Sequence, residues 1–184
     1  RYSPLPVVNC MESSDNPSEV LAALFTVWEK KGKLENLKLT VVGNGKNLNP
    51  AAVNAYAKAG FSVSLLCPEG MEPDEDTVAR ASQYDDLDVE YDMRTALKNA
   101  DVVTTRIFGD HPVGEEEKKL FYPLRADEHL MMFANPDAIY VHPLPIDRTL
   151  EASDEFLETP QAVISEQAGN LIYIQKTILS LLIK

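Results

Sequence analysis

The chain has 184 residues, 45% hydrophobic and 25% charged, enough for one domain to bury a core without disulfides or metal. Its 29 acidic residues outnumber 17 basic ones, and the net charge of −12 argues against a nucleic-acid or anionic-membrane surface, which would need clustered Lys and Arg. No apolar run reaches the ~20 residues of a bilayer span, so neither nucleic acid nor membrane is expected as a partner. Cys10 and Cys67 form no CxxC, and His111, His129 and His142 have no metal-ligand spacing. Two free thiols in a reducing cytosol and a cytoplasmic location are expected, with a disulfide between them left open. The start RYSPLPVVNC lacks a signal-peptide pattern and an initiator Met, so the chain reads as a fragment of a longer protein.

In chain order, Asp15 or Asn16 can cap a helix with Pro17 at its first position, and Val20, Leu21, Leu24, Phe25 and Trp28 form one stripe that ends near Gly32. Residues 37–42, LKLTVV, are a buried strand, and Gly43-Asn44-Gly45 turns it into a helix over 50–59. Gly60 stops that helix before a second strand over 61–66. A polar surface helix over 74–84, a short strand over 89–91 and a helix capped by Asp92 follow. Residues 102–105 form a fourth strand with Arg106 at its carboxyl end. Residues 109–122 are charged and poorly periodic; they read as a mobile loop with one helical turn, suited to close over a site or merely to connect. A short helix over 127–133 leads to a fifth strand over 138–141. Residues 162–164 are a brief extended piece, and 167–183 form a long helix apolar on more than one face, expected to bury itself against protein the chain lacks.

Strands that are apolar runs, alternating with helices, specify a parallel sheet covered on both faces. The fold class is therefore α/β: a doubly wound, Rossmann-like parallel sheet of about five strands, in a single domain. The carboxyl ends of such strands are where ligands bind. The stretch AIYVHPLPIDR places His142, Pro143, Leu144, Pro145, Asp147 and Arg148 there, and its two prolines stiffen the loop. The same residues also suit a plain rigid crossover with a hydrogen-bonded histidine.

The Gly43-Asn44-Gly45 turn lacks the third glycine and the later acidic residue of a dinucleotide fingerprint; neither a P-loop nor a nucleophile elbow is present. What remains is a strand-end constellation: Asn16, Ser18 and Glu19 at the start of the first helix, residues 44–49 after strand one, Arg106 after strand four, and residues 142–148 after strand five. Arg106 suits a carboxylate, and equally a surface ion pair.

The order of these motifs resembles the C-terminal, amino-acid-binding domain of the aspartate and ornithine carbamoyltransferases over nearly the whole chain. The lead-in LPVVNC, the run DNPSEVLAALFTVWEKKGKLENLKLTVVGNGK, the strand DVVTTRI, the HPLP loop and the ending TPQAVISEQAGNLIYIQKTIL carry the resemblance. HPLP and QAGN are more like the aspartate enzymes; the arginine three residues after HPLP is more like the acetylornithine type.

The resemblance implies transfer of a carbamoyl group from carbamoyl phosphate to an aspartate- or ornithine-like amine, without metal or organic cofactor, by a cytoplasmic homotrimer with sites between subunits. It gives catalytic places to Asn16, Glu19 and His142. Asn16 and Glu19 stand where the family has the His and Gln of HPxQ. Arg106 matches an arginine that binds a side-chain carboxylate, and Pro143, Leu144 and Pro145 match the loop whose carbonyls orient the attacking amine. Arg148 and Asn49 complete the implied substrate-binding set, although Asn49 stands where the aspartate enzymes carry an arginine and Phe108 where they carry a glutamine. Carbamoyl phosphate binding would need an N-terminal domain outside this chain. A carboxylate at Glu19 repels a phosphate dianion, so a second reading is a family relative that binds ligand or assembles without catalysis.

Overall fold

A computed structural model describes residues 5–9, 16–109 and 111–183. Asp15, the alternative cap, and Cys10 lie outside the described residues. The strands are β1 (Leu37–Gly43), β2 (Phe61–Leu66), β3 (Leu87–Glu90), β4 (Val102–Arg106) and β5 (Ile139–Tyr140). They form one parallel sheet in the order β3-β2-β1-β4-β5, the doubly wound arrangement that the apolar strand pattern predicts. The helices are α1 (Pro17–Lys31), α2 (Pro50–Lys58), α3 (Glu75–Ala81), α4 (Met93–Leu97), α5 (Glu115–Phe121), α6 (Glu128–Met131), α7 (Asp154–Leu157) and α8 (Ile164–Leu182). Among the described residues, no helix is long and apolar enough to cross a membrane.

Alternation along the strands divides the core into two layers. Leu39, Val41, Val63 and Leu65 point to the face covered by α1 and α2, against Val27, Val53 and Tyr56. Val42, Leu66, Val103 and Tyr140 point to the other, against Leu97, Leu130 and Phe156 of α4, α6 and α7. Two polar groups inside this second layer are satisfied internally: Thr40 Oγ1 donates to Ala96 O at 2.9 Å, and Thr105 Oγ1 lies 2.6 Å from the Tyr140 hydroxyl.

The α1 boundaries follow its capping signals. Asn16 Oδ1 accepts from Glu19 N at 3.3 Å, Pro17 opens the helix, and Gly32, at φ +70°, closes it by donating to Trp28 O. The buried face differs from the predicted stripe. Ala22, Ala23, Leu24, Thr26 and Val27 face inward, whereas Leu21 and Trp28 are exposed, Trp28 stacked on Phe25. Small residues let the helix approach its neighbours closely, and that outranks the size of the apolar group. α8 lies against α1: Asn170 Nδ2 donates to Thr26 Oγ1 at 3.0 Å and to Glu29 Oε2 at 2.6 Å, and Lys30 Nζ meets Glu166 Oε1 at 2.6 Å.

The described part of the 109–122 stretch is more ordered than a mobile loop with one turn, since α5 takes up seven of its residues. Its charged side chains pair along the helix, Lys118 with Glu115 and Lys119 with Glu116, and Phe121 is fully buried as its anchor. The fifth strand is two residues long, and the brief extended piece after Pro160 survives as a single parallel bridge, Tyr140 to Ala162.

Candidate functional site

A cleft of about 720 Å³ opens at the carboxyl ends of β1, β4 and β5, beside the start of α1. Asn16, Glu19, Asn49, Arg106, His142, Pro143, Leu144 and Pro145 all line it. The exception among the predicted site residues is Arg148. It lies outside the cleft lining, more than half exposed, with Nη1 2.6 Å from Asp154 Oδ1.

Backbone geometry brings the ends of β1 and β4 together. Gly43 has φ +144°, and a Cβ there would collide with the carbonyl of Arg106, so only glycine allows this approach. Asn44 N then donates to Arg106 O at 2.8 Å. The Arg106 side chain is held by one bond, Nε to Asn47 O at 3.2 Å, while its terminal nitrogens make no hydrogen bond or ion pair to a described residue. Among the described residues, Arg106 is the only Lys or Arg on the cleft lining. Asn47, nearly buried, fastens the next loop: Nδ2 donates to Ile107 O and His111 O at 2.9 and 3.0 Å, and Oδ1 accepts from His111 N at 2.8 Å. Asn49 caps α2, with Oδ1 accepting from Ala51 N and Ala52 N.

The loop after β5 contains a cis Leu144–Pro145 bond and is tied down by Glu151. This carboxylate is 4% exposed; Oε2 accepts from Asp147 N at 3.0 Å and Oε1 from Ile107 N at 3.4 Å. His142, also buried, lies with Nε2 3.3 Å from Glu151 Oε1, and its Nδ1 has no hydrogen-bond partner among the described residues.

At the start of α1, partial burial raises the Glu19 carboxyl above the ordinary glutamate range, against the lowering effect of a hydrogen bond from Gln167 and of the nearby His142. Gln167, on α8, is 2% exposed, lines the cleft, and leaves Oε1 without a partner.

Glu151 and Gln167 are therefore site residues that sequence reasoning did not single out, while Asn47, within the 44–49 turn that it did name, fastens the next loop without lining the cleft. Gln167 stands in the QAGN motif and had a signal of its own. Glu151 had none, because it acts through contacts made only after the loops have folded.

The family model "Aspartate/ornithine carbamoyltransferase, Asp/Orn binding domain" matches residues 35–182. Ornithine carbamoyltransferases of Pyrococcus abyssi and Methanobrevibacter smithii are 33% and 35% identical over 100% and 97% of the chain, which spans 60% and 62% of their lengths. The solved ornithine carbamoyltransferase of Pyrococcus furiosus superposes with a TM-score of 0.87 at 33% identity, covering 98% of this chain and 60% of that one. A solved N-acetyl-L-ornithine transcarbamylase gives 0.84 at 27% identity, covering 99% and 61%. Sequence, fold and the strand-end cleft agree: the chain belongs to the aspartate/ornithine carbamoyltransferase family, and it matches that family's Asp/Orn-binding domain.

Proposed function

We propose that the full-length protein transfers a carbamoyl group from carbamoyl phosphate to the amine of an aspartate- or ornithine-like amino acid, and that this chain supplies the acceptor-binding domain. The observation that carries the reading is the meeting, in one cleft, of the α1 start, Arg106 and the Pro143-Leu144-Pro145 loop. The ornithine carbamoyltransferases that the chain resembles support the same chemistry. Since the chain spans about 60% of their length, the carbamoyl phosphate site is assigned to protein beyond it. A cytoplasmic homotrimer, working without metal or organic cofactor, belongs to the same reading.

In this reaction the acceptor amine attacks the carbamoyl carbon, the C–O bond to phosphate breaks, and the amine releases a proton. Arg106 offers its unpaired terminal nitrogens to an acceptor carboxylate. The carbonyls of Pro143 and Leu144 orient the amine, on a loop held by Glu151. His142, with Nε2 facing Glu151 and Nδ1 unpartnered, can take up the amine proton. The rate comes mainly from positioning. Arg148, paired to Asp154 outside the cleft lining, is left out of this assignment.

Assay of the full-length protein with carbamoyl phosphate and a panel of amino acids tests this. Carbamoylated product is expected, and Arg106→Ala raises KM for the acceptor roughly 10- to 100-fold, the loss of one charge-assisted contact. An unchanged KM would remove Arg106 from the site. A second reading, a ligand-binding relative without catalysis, is favoured by one observation: Asn16 and Glu19 occupy the HPxQ positions, and Asn16 Oδ1 is already engaged as a helix cap. An inert wild type that gains turnover on Asn16→His with Glu19→Gln would establish that reading instead.

A further inference from the structure

Three donors from three places in the chain meet the buried Glu151 carboxylate: Asp147 N at Oε2, and Ile107 N and His142 Nε2 at Oε1. Burial is a costly setting for a carboxylate, and what this one supplies is direction. An ionised carboxylate only accepts, so the His142 nitrogen that faces it carries the proton, and Nδ1 is the acceptor of the neutral ring. The ring also stacks on Tyr140, with centroids 6.2 Å apart. Pro143 and Leu144 lie between the two points that Glu151 holds, His142 and the backbone of Asp147.

We propose that Glu151 is a positioning residue for carbamoyl transfer: it sets which His142 nitrogen bears the proton and, by gripping both ends of the 142–147 segment, the direction of the Pro143 and Leu144 carbonyls. The inference rests on the transfer reading above and adds to it a residue that acts through others. When the amine proton reaches Nδ1, the ring becomes a cation with Nε2 still on Glu151, so the same carboxylate offsets the charge that forms. Arg106 has its own tether, Nε to Asn47 O, so loss of Glu151 bears on the reacting amine more than on the grip of the acceptor carboxylate. Other titratable groups stand near the pair among the described residues. Glu19, at the start of α1, interacts through its charge with His142. Asp147 turns its carboxylate to Thr149 N and Leu150 N, and burial keeps the Tyr140 hydroxyl, 2.6 Å from Thr105 Oγ1, protonated.

Steady-state assay of the full-length protein across pH, with carbamoyl phosphate and an amino acid it accepts, tests the role. Glu151→Gln offers one acceptor oxygen where two are used and meets the remaining N–H groups with donors of its own. Its kcat should fall about 10- to 100-fold with the acceptor KM within about threefold of wild type. The acidic limb of kcat should move down by about one pH unit, since the charge that favours the protonated ring is gone. His142→Gln and the double variant complete a cycle, and two residues acting as one unit give a double variant within about twofold of the worse single. Thermal melting checks the fold of each variant. Ring nitrogen NMR shifts of wild-type His142, assigned by their loss in His142→Gln, should report the proton of the neutral ring on Nε2. A limb that stays in place in Glu151→Gln, single losses that multiply in the double variant, or a neutral ring protonated at Nδ1 would overturn the positioning role and leave the transfer reading standing. A wild type that makes no carbamoylated product ends the transfer reading, and the positioning role with it.

Discussion

Glu19 and Glu151 are both glutamates on one cleft wall, and their surroundings set them to different tasks. Glu151 is fixed by two backbone N–H groups and so couples the loop after β4 to the loop after β5. Glu19 receives no such donor from a described residue, and burial lifts its carboxyl above the ordinary range, with Gln167 and His142 opposing. The consequence for stability has a definite sign. A carboxyl whose folded value is raised leaves the native state holding more protons than the unfolded chain, so stability falls as pH rises from the ordinary glutamate range through the raised value. Glu19→Gln removes that loss. The variant is expected to be more stable than wild type at neutral pH and no more stable in acid, where both side chains are neutral. Urea midpoints measured across that range in both proteins check this, and parallel curves would show that Glu19 is not strained in the folded state.

Among the elements, those bounded by local chemistry were legible in the sequence. β2 runs over the residues expected of it, because a buried apolar run between Gly60 and Pro68 leaves little choice. α1 begins where Asn16 and Pro17 place it. The elements that escaped are those with weak local signals. α7 is a single turn capped by Ser153, and α8 starts at Ile164 with no side-chain cap to announce it, three residues before the expected Gln167. α5 has one buried apolar anchor, Phe121, an exposed Leu120 and otherwise only charges. The site divides the same way. Arg106 and the 143–145 loop could be read because they end strands, whereas the bonds from Asn47 to Ile107 and His111 span 60 and 64 residues of sequence. That connection ties the segment after β4 to one side chain in the turn after β1. Asn47→Ala removes three hydrogen bonds and leaves buried partners unsatisfied, an expected loss of about 2 kcal/mol in denaturant unfolding, with faster amide exchange at His111. Gly109→Ala should disturb the same place, since a Cβ there would lie 2.8 Å from the Asn47 side chain. Unaltered exchange at His111 in Asn47→Ala would mean that α5, not Asn47, holds the segment.

For the molecule as a whole, the parallel sheet was legible because the central strands are rich in apolar residues and alternate with helices, and the cleft follows from where such strands end. The outer surface of the α1 and α8 pair follows from no such rule. Trp28 is 51% exposed, and Ile172, Tyr173, Leu179, Leu181 and Ile183 are exposed along α8. Exposed apolar groups in this number favour association unless charge opposes it, and the net charge of −12 does oppose it. Salt decides between the two, because it screens repulsion over a Debye length of about 8 Å at 0.15 M and leaves apolar attraction in place. The 184-residue chain by itself should therefore show a mass by light scattering that rises with concentration, more steeply in high salt, together with binding of a hydrophobic dye. Leu181→Glu combined with Ile183→Glu should suppress both. A single-chain mass in high salt with no dye bound would show that this face is too dispersed to drive association.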